Sequence, residues 1–297
     1  MTDITLLDGG MGQELVHRVG DKPTPLWSTQ IMIDHPGMVA GVHADFFAAG
    51  ATIATANSYA VHLDRLARTD MEGRFADLHA MAVAEAQAAR AGNGSGLVAG
   101  AIGPLGASYR PDLHPSVDVA VPLFVEVAAQ LAGECDLLIG ETVASVDHAR
   151  DMLAATLPFG KPVWIALTVD DTDGTRLRSG EPLADAIPVV QNGAAAVLIN
   201  CSTPEVIPAA LDILKDAGLP FGAYANGFEK ISDGFLEEAP TVDALNMRRD
   251  FTPELYADHV MRWVDQGATI VGGCCEVSPA HIAKIAERLR AAGHQIV

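Results

Sequence analysis

Cysteine and positive charge are both scarce in this 297-residue chain. There are four cysteines, and 19 lysines and arginines stand against 38 aspartates and glutamates, for a formal net charge of −19. So few cysteines exclude a secreted disulfide framework, and each one reads as a core residue, a metal ligand or a nucleophile. The shortage of basic residues argues against nucleic acid or an anionic membrane as partner. It is compatible with a cationic small molecule. No uninterrupted apolar run approaches the ~20 residues that cross a bilayer. The opening "MTDITLLDGGMGQEL" has no basic region leading into an apolar stretch, so no signal peptide is expected and a cytoplasmic protein is. Linkers, low-complexity blocks and charge runs are missing too, which favours one domain over residues 1–297.

Familiar catalytic signatures are also lacking. The ten histidines form no H-E-x-x-H, and there is no G-x-S-x-G elbow. "GGMGQEL" at 9–15 does not match the dinucleotide fingerprint. "DDTDGTRLRSGEPL" at 170–183 is acidic but lacks EF-hand spacing, and reads as a loop shaping a rim. His148 and His281 fall in predicted helices and read as packing or surface residues.

What is present is alternation. Short β-favouring runs lie at 4–8, 51–57, 96–103, 136–141, 162–169, 195–200, 220–226 and 268–273. Helical stretches follow most of them. The run 73–92 is alanine-rich and ends on a glycine, 145–156 opens on a cap serine, and 278–293 opens on serine then proline. Eight strand–helix units in this length predict an α/β fold, a single (β/α)8 TIM barrel, with a doubly wound open sheet as the alternative. Barrel chemistry sits at the C-terminal ends of strands. There the sequence places Asp8, Asn57, Tyr59, Glu141, Cys201 and the adjacent pair Cys274–Cys275. Cys135 precedes a strand and falls at the other end.

Cys201 and Cys274–Cys275 follow strands six and eight, near neighbours in a barrel. Three thiolates on one rim suit a tetrahedral Zn2+ with one open position, and the preceding glycines allow the pair to turn toward one ion. The alternative is three small buried hydrophobes. A zinc held by three thiolates activates water poorly but holds a further thiol as thiolate, a nucleophile for an electrophilic methyl group.

The motifs "LDGGMGQEL", "LW", "AGATIATANSY", "GAIGPLGAS", "ETVASVDHA", "LINCS" and "GGCCEVSPAHI", in this order, resemble those of the homocysteine S-methyltransferase family. The resemblance runs from about Leu7 to Ile285. It implies a zinc-dependent enzyme that moves a methyl group from a sulfonium or quaternary ammonium donor to homocysteine, giving methionine. Cys201, Cys274 and Cys275 would hold the zinc, and homocysteine sulfur would be the fourth ligand. Asp8 and Glu141 match positions that hold the substrate ammonium. Backbone amides around Gly9, Gly10 and Met11 are candidates for its carboxylate. Trp27 and Tyr59 match donor-side aromatics, where cation–π attraction would act. Thr142 stands where the betaine-using branch has tyrosine, and "YANGFE" at 224–229 departs from the S-methylmethionine branch. Another thiol acceptor, a methylfolate donor delivered by a partner protein, and a non-catalytic zinc or redox-sensing barrel are the alternatives.

Overall fold

The computed structural model describes residues 2–20, 28–67, 69–231 and 247–297. Eight parallel strands form the barrel: β1 (Asp3–Leu6), β2 (Ile53–Thr55), β3 (Leu97–Ile102), β4 (Leu137–Val143), β5 (Val163–Leu167), β6 (Ala196–Asn200), β7 (Phe221–Tyr224) and β8 (Ile270–Val271). Each pairs with its sequence neighbour from β2 to β8, and β8 pairs with β1. A parallel bridge between Leu7 and Ile53, with the Thr52 amide donating to the Leu6 carbonyl at 2.7 Å, closes the ring. The eight expected strands are therefore all present. A ninth, β9 (Gln295–Ile296), pairs with the start of β1 outside the ring. Its two residues give no sequence signal.

Period-two alternation explains why the strands close. Ala99, Ala101, Leu137, Ile139, Ala196 and Leu198 pack inside the barrel. The residues between them, Val98, Leu138 and Val197, join the larger core under the helices. In-and-out alternation is what a closed parallel sheet requires. The four inward alanines at 99, 101, 166 and 196 leave room for larger neighbours.

Helix ends follow local chemistry. The helix Val146–Thr156 starts at Ser145, whose hydroxyl accepts from the His148 amide at 3.1 Å. Ser278 and His281 form a capping box before Pro279–Ala291. The helix Phe75–Asn93 runs past the expected stop and ends at Gly94, whose φ of 78° is the left-handed cap glycine favours. Cys135 is buried at the far end of the barrel, and His148 and His281 are packing residues. No described helix is long and apolar enough to cross a membrane.

Candidate active site

One cavity opens at the C-terminal rim, with a volume of about 930 Å³ counted to its mouth. Every described residue proposed above for the site reaches it. Asp8, Gly9, Gly10 and Met11 follow β1, and Asn57 and Tyr59 follow β2. Glu141 and Thr142 lie within β4, and Cys201, Cys274 and Cys275 follow β6 and β8. Trp27 lies outside the described residues.

The glycines around the cysteine pair act through space. Gly272 and Gly273 keep negative φ; the left-handed residue in this turn is Glu276, at φ 65°. A Cβ on Gly272 would stand 2.5 Å from the Leu7 Cβ, and one on Gly273 only 2.0 Å from a Val277 methyl carbon. On the facing loop, a Cβ on Gly10 would meet the Cys274 carbonyl at 2.6 Å. Glycine on both sides therefore lets the β1 and β8 loops touch, which brings Asp8 beside the thiols. The Cys274 amide donates to the Ala225 carbonyl, and the Gly227 amide to the Cys275 carbonyl, both at 2.9 Å. These bonds tie the pair to the β7 loop.

Three other non-glycine residues of this rim have left-handed backbones: Tyr109 (φ 62°), Thr142 (φ 56°) and Cys201 (φ 48°). All three line the cavity. For a β-branched residue such as Thr142 this region is strained, at a cost of order 1–3 kcal/mol. Neighbours hold it in place. Asn200 accepts from the Thr142 amide at 3.1 Å, and the Cys201 carbonyl receives the Thr168 hydroxyl at 3.3 Å and Arg178 Nη2 at 3.4 Å. Arg178 itself forms a bidentate pair with Asp171 at 2.7 and 2.9 Å, both side chains nearly buried. Asp171 also accepts from the Thr203 and Ile231 amides, so one carboxylate joins the loops after β5, β6 and β7. The 170–183 segment does shape the rim, through this clamp.

The thiols share charge. Hydrogen bonds from Cys274 and Cys275 push the Cys201 thiol well below its ordinary range, and the same contacts push both partners up. Among the described residues no three His, Cys, Asp or Glu side chains form a ready-made metal cage. The adjacent pair nonetheless has the spacing of one edge of such a cage. Sγ of Cys274 and Cys275 stand 4.0 Å apart, against about 3.8 Å for the edge of a tetrahedron with 2.3 Å zinc–sulfur bonds.

Burial pushes the Glu141 carboxyl up to about 8, with the Cys201 charge adding to the effect and the Tyr224 hydroxyl, which donates at 2.8 Å, opposing it. Asp8 is more engaged. Its two oxygens accept from the Thr55 amide at 2.6 Å and the Thr55 hydroxyl at 2.7 Å, and His43 lies behind at 3.7 Å. Each oxygen keeps a lone pair for a further donor. The backbone-amide expectation changes for two of its three residues: Gly10 N–H is taken by the Val277 carbonyl and Met11 N–H by that of Gly9. The uncommitted donors of this first turn are those of Gly12 and Gln13.

Chain comparison decides the family. The model for homocysteine S-methyltransferase matches residues 5–289. The chain belongs to the homocysteine S-methyltransferase family. It is 29% identical to the homocysteine S-methyltransferase of Escherichia coli, over 96% of this chain and 95% of that one. With the Bacillus subtilis homocysteine S-methyltransferase YbgG the identity is 27%, over 95% and 93%. The metallated form of the E. coli homocysteine methyltransferase MmuM superposes with a TM-score of 0.80 at 29% identity, covering 97% of this chain and 96% of that one.

Tyr224, Ser108, Tyr109, Phe228 and Gln13 line the same cavity and were not anticipated. Tyr224 ends β7, so the strand-end rule that found Cys201 would have found it. Gln13 sits inside a helix and carries no such signal.

Proposed function

We propose that the protein is a methyltransferase that moves a methyl group from a cationic donor to the thiol of homocysteine, forming methionine, and that residues 1–297 act as one catalytic unit. The observation that carries this reading is the convergence of Cys201, Cys274 and Cys275 with Asp8 and Glu141 on one rim cavity. Family membership supports it, as does the metallated form of the E. coli relative.

The three cysteines would hold zinc; bound there, it supplies a Lewis acid that keeps the acceptor sulfur a thiolate near neutral pH. The chain's own residues do the rest. Asp8 and Glu141 receive the substrate ammonium. Its arrival beside Glu141 favours the charged carboxylate over the proton that burial otherwise keeps on it. The acceptor sulfur forms the new carbon–sulfur bond as the methyl's bond to the donor breaks, and the electron pair leaves with the donor, which becomes neutral. Fixed alignment of sulfur, methyl and leaving atom is the protein's main contribution. No lysine, arginine or histidine among the described residues lines the cavity, while Tyr59, Tyr109, Tyr224 and Phe228 do. Aromatic faces without competing cations suit a sulfonium or quaternary ammonium donor.

The test is methionine formation by the zinc-loaded protein from homocysteine with sulfonium, betaine and methylfolate donors in parallel. Turnover with at least one cationic donor is expected, and none with the folate. If homocysteine yields no methionine with any of them, the reading is wrong.

A further inference from the structure

Gln13 is the unexplained polar group of this cavity. It is 4% exposed, and neither Nε2 nor Oε1 has a hydrogen-bond partner. The other carboxamides of the lining are engaged. Asn57 exchanges bonds with Ser28 at 2.6 and 3.2 Å, and Asn200 is spent on Thr142. The Tyr59 hydroxyl is bound to Ser108, and that of Tyr224 to Glu141. A buried amide with no partner is costly, so a ligand that supplies partners is the simplest explanation.

Its position says what kind of ligand. Gln13 lies three residues after Gly10, on the same helix face, and helical side chains lean toward the N-terminus. The carboxamide therefore covers the turn of Gly10, which abuts Cys274 and Cys275. The Gly12 and Gln13 N–H groups of the same turn lack intrahelical acceptors. No described cation lines the cavity, so a substrate carboxylate must be met by neutral donors, and these stand together here.

We infer that the Gln13 carboxamide is a specificity-determining contact for an α-amino-acid head group, Nε2–H donating to the carboxylate and Oε1 accepting from the ammonium. This rests on the proposed function, in which the acceptor, and a sulfonium donor of the amino-acid type, carry such a head.

The experiment compares wild type with Gln13→Met and Gln13→Leu in steady-state kinetics. The acceptors are homocysteine and 3-aminopropane-1-thiol, which lacks the carboxylate; the donors are an amino-acid sulfonium and betaine. Thermal midpoints are taken without substrate. We expect KM for the amino-acid substrate to rise about ten- to a hundredfold with kcat little changed. The carboxylate-free thiol, which keeps the ammonium, should be impaired less than homocysteine by both substitutions. The midpoint should hold or rise, because an unsatisfied amide has been removed from the interior. A KM rise for homocysteine assigns the contact to the acceptor; one confined to the sulfonium assigns it to the donor; either supports the inference. Unchanged KM for both amino-acid substrates overturns it. So does equal impairment with the carboxylate-free thiol together with a lowered midpoint, which would mark Gln13 as a packing residue. A wild type inactive with every donor removes the functional reading and this inference with it, whereas an active wild type with unaffected variants removes the inference alone.

Discussion

The rim cavity and the histidine layer outside β3 and β4 both bury titratable side chains, and they treat them differently. In the layer, His148 stacks on Phe124 with rings 2° from parallel and on His114, while His62 meets Phe124 edge-on. His79 packs against Phe75 and bonds its carbonyl at 2.9 Å. Burial lowers the pKa of His62, of His79 to about 4 and of His148 to about 3. These rings are kept neutral and used as flat packing pieces. On the rim, by contrast, burial is combined with left-handed backbones at Tyr109, Thr142 and Cys201, and the acid and thiol groups all face one cavity. Perturbed protonation alone therefore does not mark the working part of this molecule. Convergence of strand ends, held by strained backbone, does.

Removing a sulfur is the strongest way to break this contrast. Cys201→Ala should abolish zinc retention and methyl transfer together, beyond the about 10–100-fold that losing an outer contact of a metal site costs. Stability should fall only modestly, since a small side chain is replaced by a smaller one. Metal analysis by mass spectrometry beside a methionine assay reads both effects. A variant that keeps its metal would place Cys201 with the packing histidines.

Tyr224→Phe should act more gently. Glu141 would keep its place but lose the 2.8 Å hydrogen bond that favours its charged form, and would be harder to ionise beside the ammonium. One hydrogen bond to a charged group is worth about 1.5–3 kcal/mol, so KM for homocysteine should rise roughly 10- to 100-fold with the fold intact. The effect should vanish in a Glu141→Gln background, where no carboxylate is left to orient. Persistence there would mean that Tyr224 acts elsewhere.

The smallest effect belongs to the histidine layer. His79 and His148 bind protons more weakly folded than unfolded, so between their unfolded pKa of about 6.5 and the folded values the unfolded chain carries more protons. Their contribution is thus present above pH ~6.5 and lost as pH falls toward 3. Denaturant midpoints measured across this window should drop, and His148→Phe, which keeps a flat ring beside Phe124, should flatten the slope. An unchanged slope would show that other groups carry the acid sensitivity.

Much of the architecture was legible because it rests on local signals. Short β-favouring apolar runs gave the eight barrel strands, and serine caps gave two helix starts. Asp8, Glu141 and the cysteines were legible for a related reason: in a barrel, the residue that ends a strand is on the rim whatever the loops do. The rest depends on contacts between distant segments. β9 is two residues placed by the helix before it. The Asp171–Arg178 clamp joins three loops through a geometry that spacing does not encode. Gln13 looks like any polar residue of a helix until the fold buries it. The role given to Gly272 and Gly273 had to change, because close packing, against Leu7 at the end of β1 for Gly272 and against Val277 for Gly273, is what excludes their side chains.

X-ray absorption at the zinc edge tests the central claim most directly. Wild-type protein loaded with zinc should show three sulfur neighbours from protein, rising to four when homocysteine is added. A shell of nitrogen and oxygen alone, or a sulfur count that homocysteine leaves unchanged, would contradict the account.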